Sequence, residues 1–281
     1  MKLFTFGDSW TEGVGAYIAN ENTFENPEER KLYRNSLSWS RRLSEFLDIT
    51  DINLSRAGAS NKEIFNKIVE TTKSGVITEN DLVVVMWSSS LRDDVPFFPN
   101  GEWHVWGKNY TEEKYKFNWI INSIQNNIKG VQYTRNPEYN FFLKKYKEFF
   151  LTNIFNDVYY NIVNQNYILF IQELFKSYDI KYVFCDAFDL MIQNDLIKEI
   201  DNTEFISQDN YYGFRKKTLK DHLISIDKTE NTLWESPVKW SQTPGKHPND
   251  VGYFEIAKEL HKFIINSDIL KGGNKRITNI I

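Results

Sequence analysis

Lys2-Leu3-Phe4-Thr5-Phe6-Gly7-Asp8-Ser9-Trp10 opens the chain as an apolar run that breaks into Gly, Asp and Ser. Residues 3–6 read as a short buried strand. The break leaves a hydroxyl at the strand's C-terminal end, the edge where ligands bind in an open parallel α/β sheet. Working outward, residues 38–47 carry Trp39, Leu43 and Phe46 at helical spacing, and residues 52–54 read as a second short strand. Ser60-Asn61-Lys62-Glu63 reads as a capping box, with Ser60 as N-cap and Glu63 reaching back. The helix it opens buries Ile64, Phe65, Ile68 and Thr72 and stops at Gly75.

Residues 81–87 (Asp-Leu-Val-Val-Val-Met-Trp) and 181–186 (Lys-Tyr-Val-Phe-Cys-Asp) are continuous apolar runs, as expected of strands covered on both faces. The last helix follows His247-Pro248-Asn249-Asp250, with Asp250 as the expected cap. Its buried stripe is Tyr253, Ile256, Ala257, Leu260 and Phe263. This β-α-β-α order predicts a parallel sheet with helices on both faces, built as one domain over residues 1–281. Residues 139–178 read as strongly helical. Residues 91–135, with Trp103, Trp106 and Trp119, and residues 200–245, with Tyr211, Tyr212, Trp234 and Trp240, are expected as aromatic-rich insertions near the ligand edge.

Composition removes several function classes. The net charge of −4 provides no broad basic field for nucleic acid. No run is apolar for long enough to span a bilayer, and the strand-like N-terminus lacks a secretion-signal pattern. Cys185 is the only cysteine, so no internal disulfide forms. His104, His222 and His261 are scattered, and no Cys/His cluster suggests a metal.

Ser9 and His247 are the two parts of a nucleophilic hydrolase: a hydroxyl and a base able to take its proton. Pro248 biases His247 toward extended backbone. Asp8 suits a turn, hydrogen-bonding local backbone. Gly58 is a candidate backbone N–H donor, because a glycine lets the main chain approach a reacting carbonyl.

Three segments carry a family resemblance. Gly7-Asp8-Ser9-Trp10 resembles the first block of the SGNH/GDSL hydrolases. Asn53-Leu54-Ser55-Arg56-Ala57-Gly58-Ala59-Ser60-Asn61 resembles the second, and His247-Pro248-Asn249-Asp250 the last. They stand in family order and span almost the whole chain. The resemblance implies a flavodoxin-like three-layer α/β/α fold. It implies Ser9 as nucleophile, His247 as base, and the N–H groups of Ser9 and Gly58 as an oxyanion hole. It also implies a small acyl ester as substrate, such as O-acetyl on a carbohydrate, and no cofactor.

The chain departs from the family twice. Where the third block supplies an asparagine, this chain reads Met86-Trp87-Ser88-Ser89-Ser90-Leu91-Arg92, a form that resembles phage-encoded relatives. Ser88 then stands either as an oxyanion donor or as part of a polar strand-end turn. Trp87 and Arg92 become candidate substrate-binding residues. Arg92 and Arg56 either hold an anionic substrate group or form ordinary ion pairs. The second departure is Pro244, where the family has an aspartate orienting the histidine. A backbone carbonyl of Pro244 or Gly245, or the carboxylate of Asp186, are the replacements. These departures keep a second reading open, a binding or structural module with weak or absent hydrolysis. The expected location is cytoplasmic or virion-associated.

Overall fold

The structure is a computed structural model that describes residues 1–16, 26–89, 157–188, 190–192, 202–226, 233–234, 247–267 and 269–270. From β1 (Lys2–Phe6) the chain passes through α1 (Ser9–Glu12), α2 (Pro27–Leu37) and α3 (Trp39–Leu47) to β2 (Thr50–Asn53). It continues through α4 (Asn61–Lys73), β3 (Leu82–Trp87), α5 (Asp157–Ser177) and β4 (Lys181–Asp186). The four strands form one sheet in the order β2-β1-β3-β4, with every pair parallel. This is the parallel sheet that the alternation of strands and helices predicts, in the α/β flavodoxin-like arrangement that the resemblance implies.

β3 shows why the sheet is sandwiched. All six of its residues are buried. Leu82, Val84 and Met86 enter one core, shared with α3, α6 (Leu219–Ile226) and α7 (Asp250–Asn266). Val83, Val85 and Trp87 enter the other, shared with α4 and α5. Strand side chains alternate faces, so a run that is apolar throughout needs helices on both sides. Each such side chain contributes roughly 1.5–3 kcal/mol by leaving water.

Four local expectations are corrected. Phe46 is 39% exposed rather than core, because it lies on the flank of α3 against the edge of Phe254. Ser60 does cap α4, its Oγ accepting the Glu63 N–H at 3.1 Å, but the Glu63 carboxylate pairs with Arg56. Asn249, not Asp250, caps α7 by accepting the Gly252 N–H at 2.9 Å, and Asp250 pairs with Arg42. Residues 210–212 run along the sheet edge rather than being inserted beside it. Tyr211 forms a parallel bridge to Phe184, the Tyr212 N–H donates to the Phe184 carbonyl at 2.8 Å, and Asn210 Nδ2 donates to the Tyr182 carbonyl at 2.8 Å. An open edge of β4 carries unpaired backbone groups, and this segment satisfies them. The expected insertion at 91–135, the helical stretch at 139–156 and the rest of 200–245 apart from Leu233 and Trp234 lie outside the described residues. Among the described residues, no helix is long and apolar enough to cross a membrane.

Candidate active site

The site forms where the strand order reverses. From β1 the chain leaves toward β2, while β3 lies on β1's other side. The crevice between the C-terminal ends of β1 and β3 is therefore the switch point of the sheet, the usual ligand position in this fold class. Gly7 turns the corner out of β1. A Cβ there would stand 2.1 Å from Thr11 Oγ1 and 3.0 Å from the Met86 carbonyl oxygen, so only glycine fits. Asp8 then caps α1, as its turn-forming chemistry predicted, with Oδ1 accepting the Trp10 N–H at 3.0 Å. The cap places Ser9 at the first position of the helix, 6% exposed.

His247 arrives from the far end of the chain. Its Nε2 lies 2.9 Å from Ser9 Oγ across a sequence separation of 238 residues. Pro248 keeps this segment extended, and β6 (His247–Pro248) pairs antiparallel with β5 (Leu233–Trp234), His247 opposite Trp234. The Tyr253 hydroxyl donates to the Val14 carbonyl at 2.7 Å and so pins α7 to the exit of α1. When Nε2 accepts the seryl proton, the ring's own proton sits on Nδ1. Pro244 and Gly245, proposed sources of a carbonyl for that proton, lie outside the described residues, as does Arg92.

Gly58 occupies the third position of a turn closed by the Ala59 N–H on the Arg56 carbonyl at 3.0 Å. Its φ of 74° is the left-handed value that such a turn asks of glycine. Gly58 is buried, and no hydrogen-bond partner for its N–H is found among the described residues. Backbone bonds from Leu54 to Thr5 (2.9 Å) and from Arg56 to Gly7 (3.2 Å) lay this turn beside the end of β1.

The remaining predicted residues take other work. Ser88 is fully buried, and its hydroxyl donates to Asp8 Oδ2 at 2.7 Å. A seryl group has one proton to donate, so Ser88 is a strut between β3 and β1 rather than an oxyanion donor. Trp87 is fully buried in the core with its ring 5.9 Å from that of Phe184, out of reach of a substrate. Asp186 accepts the Tyr211 hydroxyl at 2.6 Å and the Met191 N–H at 3.3 Å, bonds that organise the segments beyond β4, and no hydrogen bond between it and His247 is found among the described residues. Burial and the Asp186 charge push the Tyr211 hydroxyl well up from its ordinary range, which keeps it a donor. Arg56 takes the ordinary reading, an ion pair with Glu63. Cys185 is no rival nucleophile: it is fully buried, and burial pushes its thiol well up.

Two buried residues escaped sequence reasoning. Asn61 Oδ1 accepts the Ser88 N–H at 2.8 Å while its Nδ2 donates to the carbonyls of Ser88 (3.2 Å) and Ser89 (3.1 Å). Glu12 Oε2 accepts the Ala57 N–H at 2.6 Å, and Oε1 faces Arg34 Nη1 at 3.4 Å. The one signal available was position: Glu12 follows Ser9 by three residues, on the same helical face. Among the described residues, no three His, Cys, Asp or Glu side chains gather to hold a metal ion.

Comparison with known proteins adds little beyond the geometry. No family model matches the chain, and no curated protein matches it. Among solved structures, a G-D-S-L family protein from Desulfitobacterium hafniense DCB-2 is similar at 11% identity, covering 93% of this chain and 98% of that one, with a TM-score of 0.40.

Proposed function

We propose that this protein is a serine hydrolase acting on esters of small acyl groups. The observation that carries the reading is the 2.9 Å contact between Ser9 Oγ and His247 Nε2 at the switch point of the sheet. A nucleophile and its base within hydrogen-bond reach, beside a buried backbone donor with no partner among the described residues, is the constellation of acyl transfer.

In this reading His247 Nε2 takes the Ser9 proton as Oγ bonds to the ester carbonyl carbon. The carbonyl electrons move onto oxygen, which the N–H groups of Ser9 and Gly58 receive. When the intermediate collapses, the leaving alkoxide takes the proton from His247 and departs as an alcohol. Water, deprotonated by His247, then attacks the acyl-enzyme. The acid leaves, and the proton returns to Ser9. O-acetyl on a carbohydrate is the substrate class that the family resemblance suggests.

One observation supports a second reading, a binding module that hydrolyses slowly. The Ser88 hydroxyl is committed to Asp8, which leaves backbone donors alone to hold the oxyanion.

The test compares wild type with Ser9→Ala and His247→Ala on p-nitrophenyl acetate and on a fluorophosphonate probe. Ser9-dependent turnover and labelling support the hydrolase. Stable wild-type protein that neither turns over ester nor labels, yet binds glycan, supports the second reading.

A further inference from the structure

We infer that Glu12 is a positioning residue for the oxyanion: its buried carboxylate grips the Ala57 N–H and thereby sets where the Gly58 N–H stands relative to Ser9 Oγ. The inference rests on the hydrolase reading above.

The argument starts from the turn. Its closing bond uses the Arg56 carbonyl and the Ala59 N–H. The N–H groups of the two middle residues, Ala57 and Gly58, take no part in that bond. The Ala57 N–H goes to Glu12 Oε2 at 2.6 Å, a short charge-assisted bond. Fixing that peptide plane leaves the adjacent Gly58 N–H as the donor the turn still has to offer.

Glu12 belongs to the same four-residue helix as Ser9, one turn further on. Nucleophile and grip are thus parts of one rigid element. A second tether runs parallel to the first, with Asn53 Nδ2 donating to the Thr11 carbonyl at 2.7 Å. Helix α1 and the donor turn therefore form one hydrogen-bonded unit.

A carboxylate with a side chain 7% exposed is an expensive anchor. Arg34 offsets its charge from α2, which comes close because Gly13 has no Cβ. A Cβ there would stand 2.3 Å from the Arg34 carbonyl oxygen. A neutral acceptor of the same length would keep the Ala57 N–H in the same place through a weaker bond. The position of the acceptor oxygen, rather than the charge, is the functional property.

That distinction sets the test, made on the full chain. Glu12→Gln keeps an oxygen at the same reach. Glu12→Asp keeps the charge and withdraws the oxygen by one methylene, and Glu12→Ala removes both. With p-nitrophenyl acetate, Glu12→Asp and Glu12→Ala lower kcat by about 10- to 100-fold, the scale of a misplaced group, with KM nearly unchanged. Glu12→Gln recovers most of kcat even though its thermal midpoint falls with the loss of the Arg34 pair, so stability cannot account for the order.

In amide NMR spectra the Ala57 proton lies downfield in wild type and moves upfield in Glu12→Ala and Glu12→Asp, with the Gly58 resonance following. If Glu12→Ala fails to fold, the Gln and Asp pair carries the comparison. Equal kcat in wild type and Glu12→Asp, or equal loss in Gln and Asp, overturns the inference and leaves the hydrolase reading intact. If wild type shows no Ser9-dependent turnover, the hydrolase reading fails instead. The amide shifts then still decide whether Glu12 sets the turn, and unmoved Ala57 and Gly58 resonances would overturn it.

Discussion

Ser88 Oγ donates to Asp8 Oδ2 at 2.7 Å, and both residues are fully buried, so one hydrogen bond clamps the C-terminal ends of β3 and β1 at the switch point of the sheet. The Asp8 carboxylate divides its oxygens, one capping α1 and the other receiving the Ser88 proton. Ser88→Ala leaves that second oxygen buried with one donor fewer. Stability is expected to fall by about 1–3 kcal/mol, read as a shift in the urea midpoint. Ester hydrolysis is expected to change by less than tenfold, whereas loss of a true oxyanion donor costs roughly 10²–10³ in kcat. A loss of that larger size in a folded variant would restore Ser88 to the oxyanion hole.

Gly7→Ala tests the corner that presents Ser9. The added methyl carbon meets Thr11 Oγ1 at 2.1 Å and the Met86 carbonyl oxygen at 3.0 Å. Backbone must move to admit it, at about 1–3 kcal/mol for overpacking. Because the displaced segment carries Ser9, fluorophosphonate labelling is expected to slow together with the fall in thermal midpoint. Unaltered labelling would mean that the corner accommodates the methyl without moving the nucleophile.

Tyr211→Phe removes the donor that holds Asp186 at 2.6 Å. A buried carboxylate loses a bond, and the expected cost is about 1.5–3 kcal/mol near neutral pH. The pH dependence has a definite sign. Burial first, and the Asp186 charge second, raise the folded hydroxyl well above its ordinary value of 10.0. The stabilisation is full below pH 10.0 and is lost as pH rises, because the unfolded chain ionises while the folded one does not. Wild type is therefore expected to lose stability above that pH more steeply than Tyr211→Phe in alkaline denaturation curves.

His222 gives the acid limb. Its side chain lies between α6 and α7, with Nδ1 receiving Lys217 Nζ at 3.2 Å and Nε2 buried with no partner among the described residues. Burial, with Lys217 assisting against Glu259, lowers its pKa below the usual 6.5. The folded state thus binds fewer protons than the unfolded one just below pH 6.5, and stability falls as pH drops through that window. His222→Gln, which cannot titrate, is expected to flatten this part of the urea-midpoint profile. A profile as steep as wild type would assign the acid sensitivity elsewhere.

Much of the layered fold was legible because its signals are local. β3 and β4 announce themselves as unbroken apolar runs, and in the stripe Tyr253, Ile256, Ala257, Leu260 and Phe263 all but the half-buried Phe263 are buried as helical spacing requires. Side-chain period and backbone period are coupled over a few residues, so a short window suffices. Tyr211 and Tyr212 failed this test. A strand position held by an isolated bridge has too few residues to show a period, so in sequence the aromatic pair reads as part of an insertion.

Sequence alone determined the residue types at the site: the hydroxyl after β1, the imidazole before α7 and the glycine able to adopt a positive φ. Tertiary structure alone decided which group each one faces. Ser88 turns to Asp8, Asp186 to Tyr211 and Glu12 to Ala57, across separations that no pattern in the chain encodes. The reason is physical. A buried donor or acceptor must find a partner wherever packing brings one within about 3 Å. That choice belongs to the folded core as a whole, not to the residue's neighbours in sequence.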